Sequence, residues 1–329
     1  MAYTPRLWIS AGETSGDLHG QLLFDAVQAI CPGVTGRGMA GPAMRKAGVY
    51  PVLRTEDLSV MGITEVLGHL PKIMHMLGTI RTALSQERPD AVVLIDAPDF
   101  HFRVARIAHN LGIPVLYYIS PKLWAWREGR VRFIHRYVKR LISILPFEVD
   151  FYARHGMSID YVGHPLVDAV RTPDILSTQQ HLRRIGIVPG SRVREVSSLM
   201  PIFSRAATLL HSRFPGLDFV LPVAPGLDAQ SLCKLWNPQV PLRLVTQDRY
   251  ATMRSCRAIL AASGTATLET ALLGVPTAVA YTFSAFSYWL GTKLVKVPYV
   301  SLPNLILNHP VFPEFLQHRA QPWALAAAV

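Results

Sequence analysis

Cysteine is scarce: Cys31, Cys233 and Cys256 are the only three, odd in number and far apart. That spacing fits neither a metal knuckle nor a disulfide framework, and it suits a reducing compartment. Acidic residues are also in short supply, 22 against 33 Lys+Arg, leaving a formal charge of +11. A balance of that size favours an anionic partner: nucleic acid, a phosphorylated substrate or an anionic lipid surface. No apolar run is long enough to span a bilayer; the longest candidate, around 258–283, is broken by Gly264, Glu269, Gly274 and Pro276. The first residues, Met1-Ala2-Tyr3-Thr4-Pro5-Arg6, lack the charged and apolar regions of a signal peptide and lead directly into a strand-like run. Neither the loop at 189–192 nor the one at 262–269 is a Walker A or a GxGxxG motif.

The 329 residues are half hydrophobic, enough for about two packed domains. Short unbroken apolar runs at 7–10, 91–95, 115–119 and 141–145 read as parallel strands covered on both faces. Helical stretches at 18–30 and 102–111 lie between them, the second closed by Gly112 and Pro114. The second half repeats the alternation, with strands at 184–188, 218–221, 242–245, 258–261 and 277–280. Two α/β domains with parallel sheets follow: 1–170, a polar linker at 171–183, and 184–329. The closing run Ala324-Leu325-Ala326-Ala327-Ala328-Val329 has no stop signal and reads as cut off inside a helix.

Ligands of such sheets gather at the carboxyl ends of strands. Pro189-Gly190-Ser191-Arg192 follows one strand. There Gly190 admits close backbone approach, Ser191 can cap a helix, and Arg192 can fork onto a diphosphate. Ser263-Gly264-Thr265 follows another and opens a second helix, with Glu269 one turn inside and able to reach a ribose diol. Either loop alone reads as an ordinary capped turn; the pair favours nucleotide diphosphate binding.

The first half carries acids where a phosphate would want none. Ala11-Gly12-Glu13-Thr14-Ser15-Gly16-Asp17 suits sugar hydroxyls through Glu13, Ser15, Gly16 and Asp17. On the plainer reading Thr14 or Ser15 caps the helix and the acids complement its dipole. Asp96 and Asp99 flank the turn after the most hydrophobic strand, and one of them is a candidate general base. No third ligand joins them, so metal ranks lower. Apolar residues at 63, 66, 67, 70, 73, 74, 77 and 80 form a helical stripe that suits a core or a membrane face. Residues 121–140 carry seven cations against Glu128, beside Trp124 and Trp126. That mixture suits anionic headgroups or single-stranded nucleic acid, and the tryptophans equally suit buried anchors.

Taken together, AGETSGD (11–17), LSVMGITEVLG (58–68), IDAPDF (95–100), YYISPKLWAWREGR (117–130), LPFE (145–148), PGSR (189–192), ASGTATLE (262–269) and KVPYVSLPN (296–304) resemble the lipid-A-disaccharide synthase family nearly end to end. The resemblance implies a GT-B fold, with two Rossmann-like domains facing a central cleft. It implies an inverting transferase with no metal or other cofactor. The donor is UDP-2,3-diacylglucosamine, the acceptor 2,3-diacylglucosamine 1-phosphate, and the products a β(1→6) disaccharide 1-phosphate and UDP. On that reading Asp96 is the catalytic base, ahead of Asp99, Glu13 and His19. Glu13, Ser15, Gly16, Asp17 and Asp99 bind the acceptor. Gly190, Ser191, Arg192, Ser263, Gly264, Thr265, Glu269 and Asn304 bind the UDP-sugar, and Ile63, Val66, Leu67, Leu70, Ile73 and Met74 meet the membrane. It also implies a peripheral place on the inner face of the cytoplasmic membrane, an anionic membrane surface and a homodimer as partners, and no nucleic acid. The family continues beyond the point where this sequence stops. The competing readings are a UDP-sugar 2-epimerase and a non-catalytic nucleotide-binding module.

Overall fold

The computed structural model describes residues 4–59, 70–224, 226–282 and 298–329. They fall into two compact units, Met1–Gly163 and His164–Val329. In the first unit the strands are β1 (Arg6–Ala11), β2 (Thr35–Ala40), β3 (Tyr50–Arg54), β4 (Ala91–Ile95), β5 (Val115–Tyr118), β6 (Arg140–Ser143) and β7 (Asp160–Tyr161). They form one sheet in the order 3-2-1-4-5-6-7, parallel throughout. In the second unit β8 (His181–Val188), β9 (Asp218–Pro222), β10 (Leu242–Val245), β11 (Cys256–Ala262), β12 (Thr277–Tyr281) and β13 (Glu314–Leu316) form a parallel sheet in the order 10-9-8-11-12-13.

Both faces of each sheet are covered, which is why its strands read as continuous apolar runs and not as alternation. On β1, Trp8 points into a core with Met76, Ile80 and Leu84 of the helix Leu70–Glu87, while Ile9 points to the other face with Phe24 and Met44. On β4, Leu94 and Ile95 divide in the same way. In the second unit Ile187 and Leu260 pack against the helix Val193–Arg213, and Val188 and Ile259 pack on the opposite side.

The boundary differs from the expected one. The division falls between Gly163 and His164, seven residues ahead of the expected start of the linker at 171. The reason is Val170, at the end of the helix Leu166–Val170: it is 1% exposed and belongs to the second unit's core with Val188, Met253 and Leu273. The expected linker itself holds the helix Pro173–Leu176 and the start of β8.

Strands β2 and β3 escape a reading by apolar runs. β2 is Thr-Gly-Arg-Gly-Met-Ala, and both glycines are there for space. A Cβ on Gly36 would stand 2.7 Å from the Phe24 ring, and one on Gly38, whose φ is +150°, would stand 2.0 Å from the Ile9 carbonyl oxygen. Close backbone approach in a sheet looks like loop chemistry in the sequence.

Candidate functional site

In an open parallel sheet the strand order reverses at one point, and a crevice opens there at the carboxyl ends. In the first unit that point lies between β1 and β4, where Ala11 pairs with Ile95. The next residues on either side are Gly12 and Asp96. In the second unit it lies between β8 and β11, where Val188 pairs with Ala261. The loops issuing there are Pro189–Arg192 and Ser263–Thr265.

At the first switch point Asp96 turns back onto the glycine loop. Its Oδ1 accepts from the Gly12 amide at 2.7 Å and its Oδ2 from the Glu13 amide at 3.2 Å. The helix Thr14–Ile30 therefore begins under a carboxylate from another strand, and neither Thr14 nor Ser15 caps it. Gly16 makes the approach possible, since a Cβ there would stand 1.7 Å from Asp96 Oδ2. Asp96 and Ala97 both adopt left-handed backbone, with φ of +57° and +37°. Such residues are held only when their surroundings over-determine them. Here the Asp96 carbonyl accepts from the Tyr117 hydroxyl at 2.6 Å and from His101 Nδ1 at 2.9 Å. Because a carbonyl only accepts, Nδ1 carries the proton, and Nε2 accepts from the Ser10 hydroxyl at 3.2 Å. Burial lowers the His101 imidazole to about 4, so this support stays neutral. Ser10, His101 and Tyr117 carry no sequence signal apart from their places beside the strand ends.

Burial pushes the Asp96 carboxyl up to about 8 and the Glu13 charge adds to it, against the pull of the Gly12, Glu13 and Gly16 amides. A carboxylate of that basicity, poised near neutral pH, is what proton abstraction from an alcohol requires.

The other predicted residues of this unit divide. Glu13 and Ser15 are exposed beside Asp96, and Gly16 lies beneath its carboxylate. Asp17 does not face a ligand. It is 2% exposed, and its oxygens accept from the amides of Gly41, Ala43 and Met44 at 2.8–3.1 Å. It caps the short helix Pro42–Lys46, and the electrostatic demand of those free amides explains its burial. Asp99 is exposed but engaged by Arg127 at 2.5 Å and Arg130 at 2.6 Å. Against the upward push of burial, those two guanidinia hold its carboxyl below the usual range.

The basic, tryptophan-bearing segment is anchored from below. The Trp124 indole N–H donates to Glu148 at 2.9 Å, and the Ser143 hydroxyl donates to the same carboxylate. Glu148 is 1% exposed, and burial pushes it up to about 7. Trp124 is thus an internal anchor, whereas Trp126 is exposed and carries the Arg127 guanidinium 3.7 Å above its ring. Of the expected membrane residues, Ile63, Val66 and Leu67 lie outside the described residues. Leu70 and Met74 are exposed, but Ile73 packs against the core, as do Leu77 and Ile80 of the same stripe. Among the described residues no helix is long and apolar enough to cross a membrane.

At the second switch point no carboxylate from a neighbouring strand covers the amides among the described residues; Glu195, on the helix that follows, lies beside Gly190. Gly190 has φ +107°, and Ser191 and Arg192 are exposed. Arg192, and not Ser191, is the N-cap of Val193–Arg213, with no side-chain capping bond. Its side chain is 73% exposed, and its guanidinium meets Glu195 at 3.3 Å. Gly264 and Thr265 are exposed at the start of the helix Thr265–Leu272, and none of the described residues comes within 4 Å of the place a Gly264 Cβ would occupy.

Three predicted donor residues are turned inward. The Ser263 hydroxyl donates to the Val300 carbonyl at 2.8 Å. Glu269 is 4% exposed and paired with Arg249, so a ribose would have to meet that pair and not a free carboxylate. Burial raises the Glu269 carboxyl against the pull of Arg249. Asn304 is fully buried. Its Nδ2 donates to the Phe312 carbonyl and to Glu314, and its Oδ1 accepts from the Phe312 amide, all at 2.8–2.9 Å. Glu314 also accepts from the amides of Val300 and Ser301 and from the Ser301 hydroxyl. Asn304 therefore sets the shape of the 300–314 loop and does not itself face a ligand.

The family model described as Lipid-A-disaccharide synthetase matches residues 7–329. Similar proteins include the lipid-A-disaccharide synthases of Nitrosococcus oceani, 41% identical over 98% of this chain and 85% of that one, and of Geobacter sulfurreducens, 40% identical over 98% and 86%. Among solved structures, MurG of Acinetobacter baumannii aligns with a TM-score of 0.60 at 14% identity, covering 98% of this chain and 89% of that one. A UDP-GlcNAc 2-epimerase of Methanocaldococcus jannaschii, solved with UDP-GlcNAc and UDP, aligns at 0.61 and 14%, over 98% and 91%. At such identities the structural likeness speaks for the fold alone.

Proposed function

The chain belongs to the lipid-A-disaccharide synthase family and has the GT-B fold, and from that premise we propose how its residues divide the work. It is a hexosyltransferase that joins UDP-2,3-diacylglucosamine to 2,3-diacylglucosamine 1-phosphate, releasing UDP. The first unit takes the acceptor and the second the UDP-sugar. Asp96 removes the proton of the acceptor 6-hydroxyl as that oxygen attacks the anomeric carbon. The bond to UDP breaks on the opposite face, and the configuration inverts. Growing charge on the leaving diphosphate is met by Arg192 and by the free amides around Gly190, Ser191, Gly264 and Thr265.

One contrast carries this reading. The switch-point amides of the first unit already hold a carboxylate from another strand, Asp96, whereas among the described residues those of the second have no such cover, with Glu195 of the following helix beside Gly190 and Arg192 exposed. A diphosphate at Gly12 and Gly16 would have to displace a carboxylate and sit among Glu13 and Asp96. Ser263, Glu269 and Asn304 enter the reading as supports of the donor loop, with Arg249 beside Glu269. We also propose that the exposed Leu70 and Met74, with Ile63, Val66 and Leu67, bring the chain to the inner face of the cytoplasmic membrane. Each acyl methylene drawn into water would cost about 0.8 kcal/mol, which favours work at the bilayer surface. The homodimer implied by the family stands as part of the same proposal.

The test is incubation of purified protein with synthetic donor and acceptor in neutral detergent, with the tetraacyl disaccharide 1-phosphate read by mass spectrometry across pH 5–9. The expected kcat/KM rises about tenfold per pH unit on the acid side and levels near the Asp96 value of about 8. A flat profile between pH 5 and 8, or UDP release independent of acceptor, would contradict the assignment.

A further inference from the structure

We propose that Arg127 and Arg130 form the subsite for the phosphate monoester of the acceptor sugar, with Asp99 as the internal anion that holds both guanidinia in place. The proposal rests on the glycosyl-transfer reading above and adds to it the group that recognises the acceptor's charge.

Four observations meet at this place. First, Nη1 of each arginine reaches the same oxygen of Asp99, at 2.5 and 2.6 Å. Two cations converge on one anion, so a positive charge is left over. A guanidinium has five N–H donors in a planar fork. Only one from each is given to Asp99, and a phosphate can accept several of the rest.

Second, both planes are held. Arg127 lies 3.7 Å above the Trp126 ring and Arg130 lies 5.5 Å from the Phe102 ring centre. The segment beneath them is fixed by buried Leu123 and by the Trp124–Glu148 hydrogen bond. Ordering two long side chains in advance lowers the cost of binding an anion.

Third, the site is open. The Asp99 side chain is 62% exposed, and those of Arg127 and Arg130 are 27% and 38% exposed. A surface ion pair alone would contribute little to stability. Fourth, Asp99 lies in the first turn of Pro98–Asn110, three residues after Asp96. The turn that sets out the base therefore also sets out the arginine pair. An acceptor sugar presents a hydroxyl to be deprotonated and a dianion on the same molecule, and this arrangement offers a partner for each. The other acid of the segment, Glu128, is turned to His155 at 3.0 Å and does not share the site.

The same chemistry could be offered by a headgroup phosphate of the surrounding bilayer, so the experiment separates the two sources. Initial rates are measured in neutral detergent with 2,3-diacylglucosamine 1-phosphate and with the same sugar lacking the phosphate. Wild type is compared with Arg127→Gln, Arg130→Gln and, as a control on the same segment, the exposed Arg136→Gln. Loss of one charged hydrogen-bonding partner is expected to raise KM for the phosphorylated acceptor about tenfold or more. KM for the donor and the rate with the unphosphorylated acceptor should stay as they are, and Arg136→Gln should keep the wild-type preference. Arg130→Lys should recover part of the loss. Binding to phosphatidylcholine vesicles with and without phosphatidylglycerol forms the second arm. If Arg127→Gln and Arg130→Gln lose anionic vesicles while rates with both acceptors fall together, the pair reads bulk headgroups and the proposal is overturned. If wild type transfers sugar and both variants keep its preference for the phosphorylated acceptor, this inference alone fails. If wild type makes no disaccharide from either acceptor, the underlying reading fails instead.

Discussion

Asp96→Asn lowers kcat for glycosyl transfer by about 10²- to 10⁴-fold, the range set by removing a positioned general base, with the chain still folded. The substitution keeps the shape of the side chain, and an amide oxygen can still accept from the Gly12 N–H. What it removes is basicity. The backbone at this position is held from elsewhere, by Tyr117 and His101 on the carbonyl, so the left-handed turn does not depend on the carboxylate. Stability supplies a second signature. The Asp96 carboxyl lies near 8 in the folded chain against an ordinary value of 3.8. Its contribution is therefore complete below about pH 4 and is lost as pH rises towards 8. The Asn variant has no such slope. Thermal melts should show the wild type losing ground to the variant between pH 5 and pH 8. A fully active variant, or parallel melts across that range, would mean that Asp96 is neither the base nor a desolvated carboxylate.

Gly16→Ala is expected to cost at least about a hundredfold in kcat/KM, comparable with losing a catalytic group outright. Helix propensity argues the other way, since alanine is favoured over glycine by about 1 kcal/mol inside a helix. Geometry overrides it. The new methyl would stand 1.7 Å from Oδ2 and 2.7 Å from Cγ of Asp96, so the carboxylate must leave the Gly12 and Glu13 amides. Because its backbone is fixed, only the side chain can move, and it moves away from its working position. Gly78→Ala serves as the control. Gly78 is exposed in the helix Leu70–Glu87, none of the described residues lies within 4 Å of its added carbon, and propensity alone should act there. Kinetics and melts of the two variants check this: loss of activity in one, a small gain of stability in the other. Wild-type turnover from Gly16→Ala would contradict the described approach of Asp96 to the helix.

The fold was legible wherever burial on both faces leaves an unbroken apolar run. β4 and β10 match the residues expected from sequence, and most others differ only at their ends. β2 was hidden because Gly36 and Gly38 yield their side-chain space to Phe24 and Ile9. β13, three residues long, is too short to show any pattern. At the site, local chemistry identified the loops but could not say which polar groups they would use on themselves. Asp17 and Asp96 are both acids near one glycine loop, yet one caps a helix in burial and the other faces the crevice. Asn304 and Glu269 look alike in sequence to ligand-binding residues, and their partners, Phe312, Glu314 and Arg249, come from other segments. Periodicity cannot supply those pairings, because they depend on which strand ends adjoin. The arginine pair on Asp99 is a further case: the cations stood out, but their convergence on one carboxylate needs the turn after β4 and the segment after β5 together.

The central claim is that the second unit holds the diphosphate while the first keeps its own switch-point amides for Asp96. A crystal structure with UDP bound tests it most directly. The predicted map shows the diphosphate on the amides of Gly190–Arg192 and Gly264–Thr265, with the Arg192 guanidinium turned from Glu195 onto a phosphate oxygen and Asp96 still hydrogen-bonded to Gly12. A diphosphate seated against Gly12 and Gly16, with Arg192 left on Glu195, would contradict it.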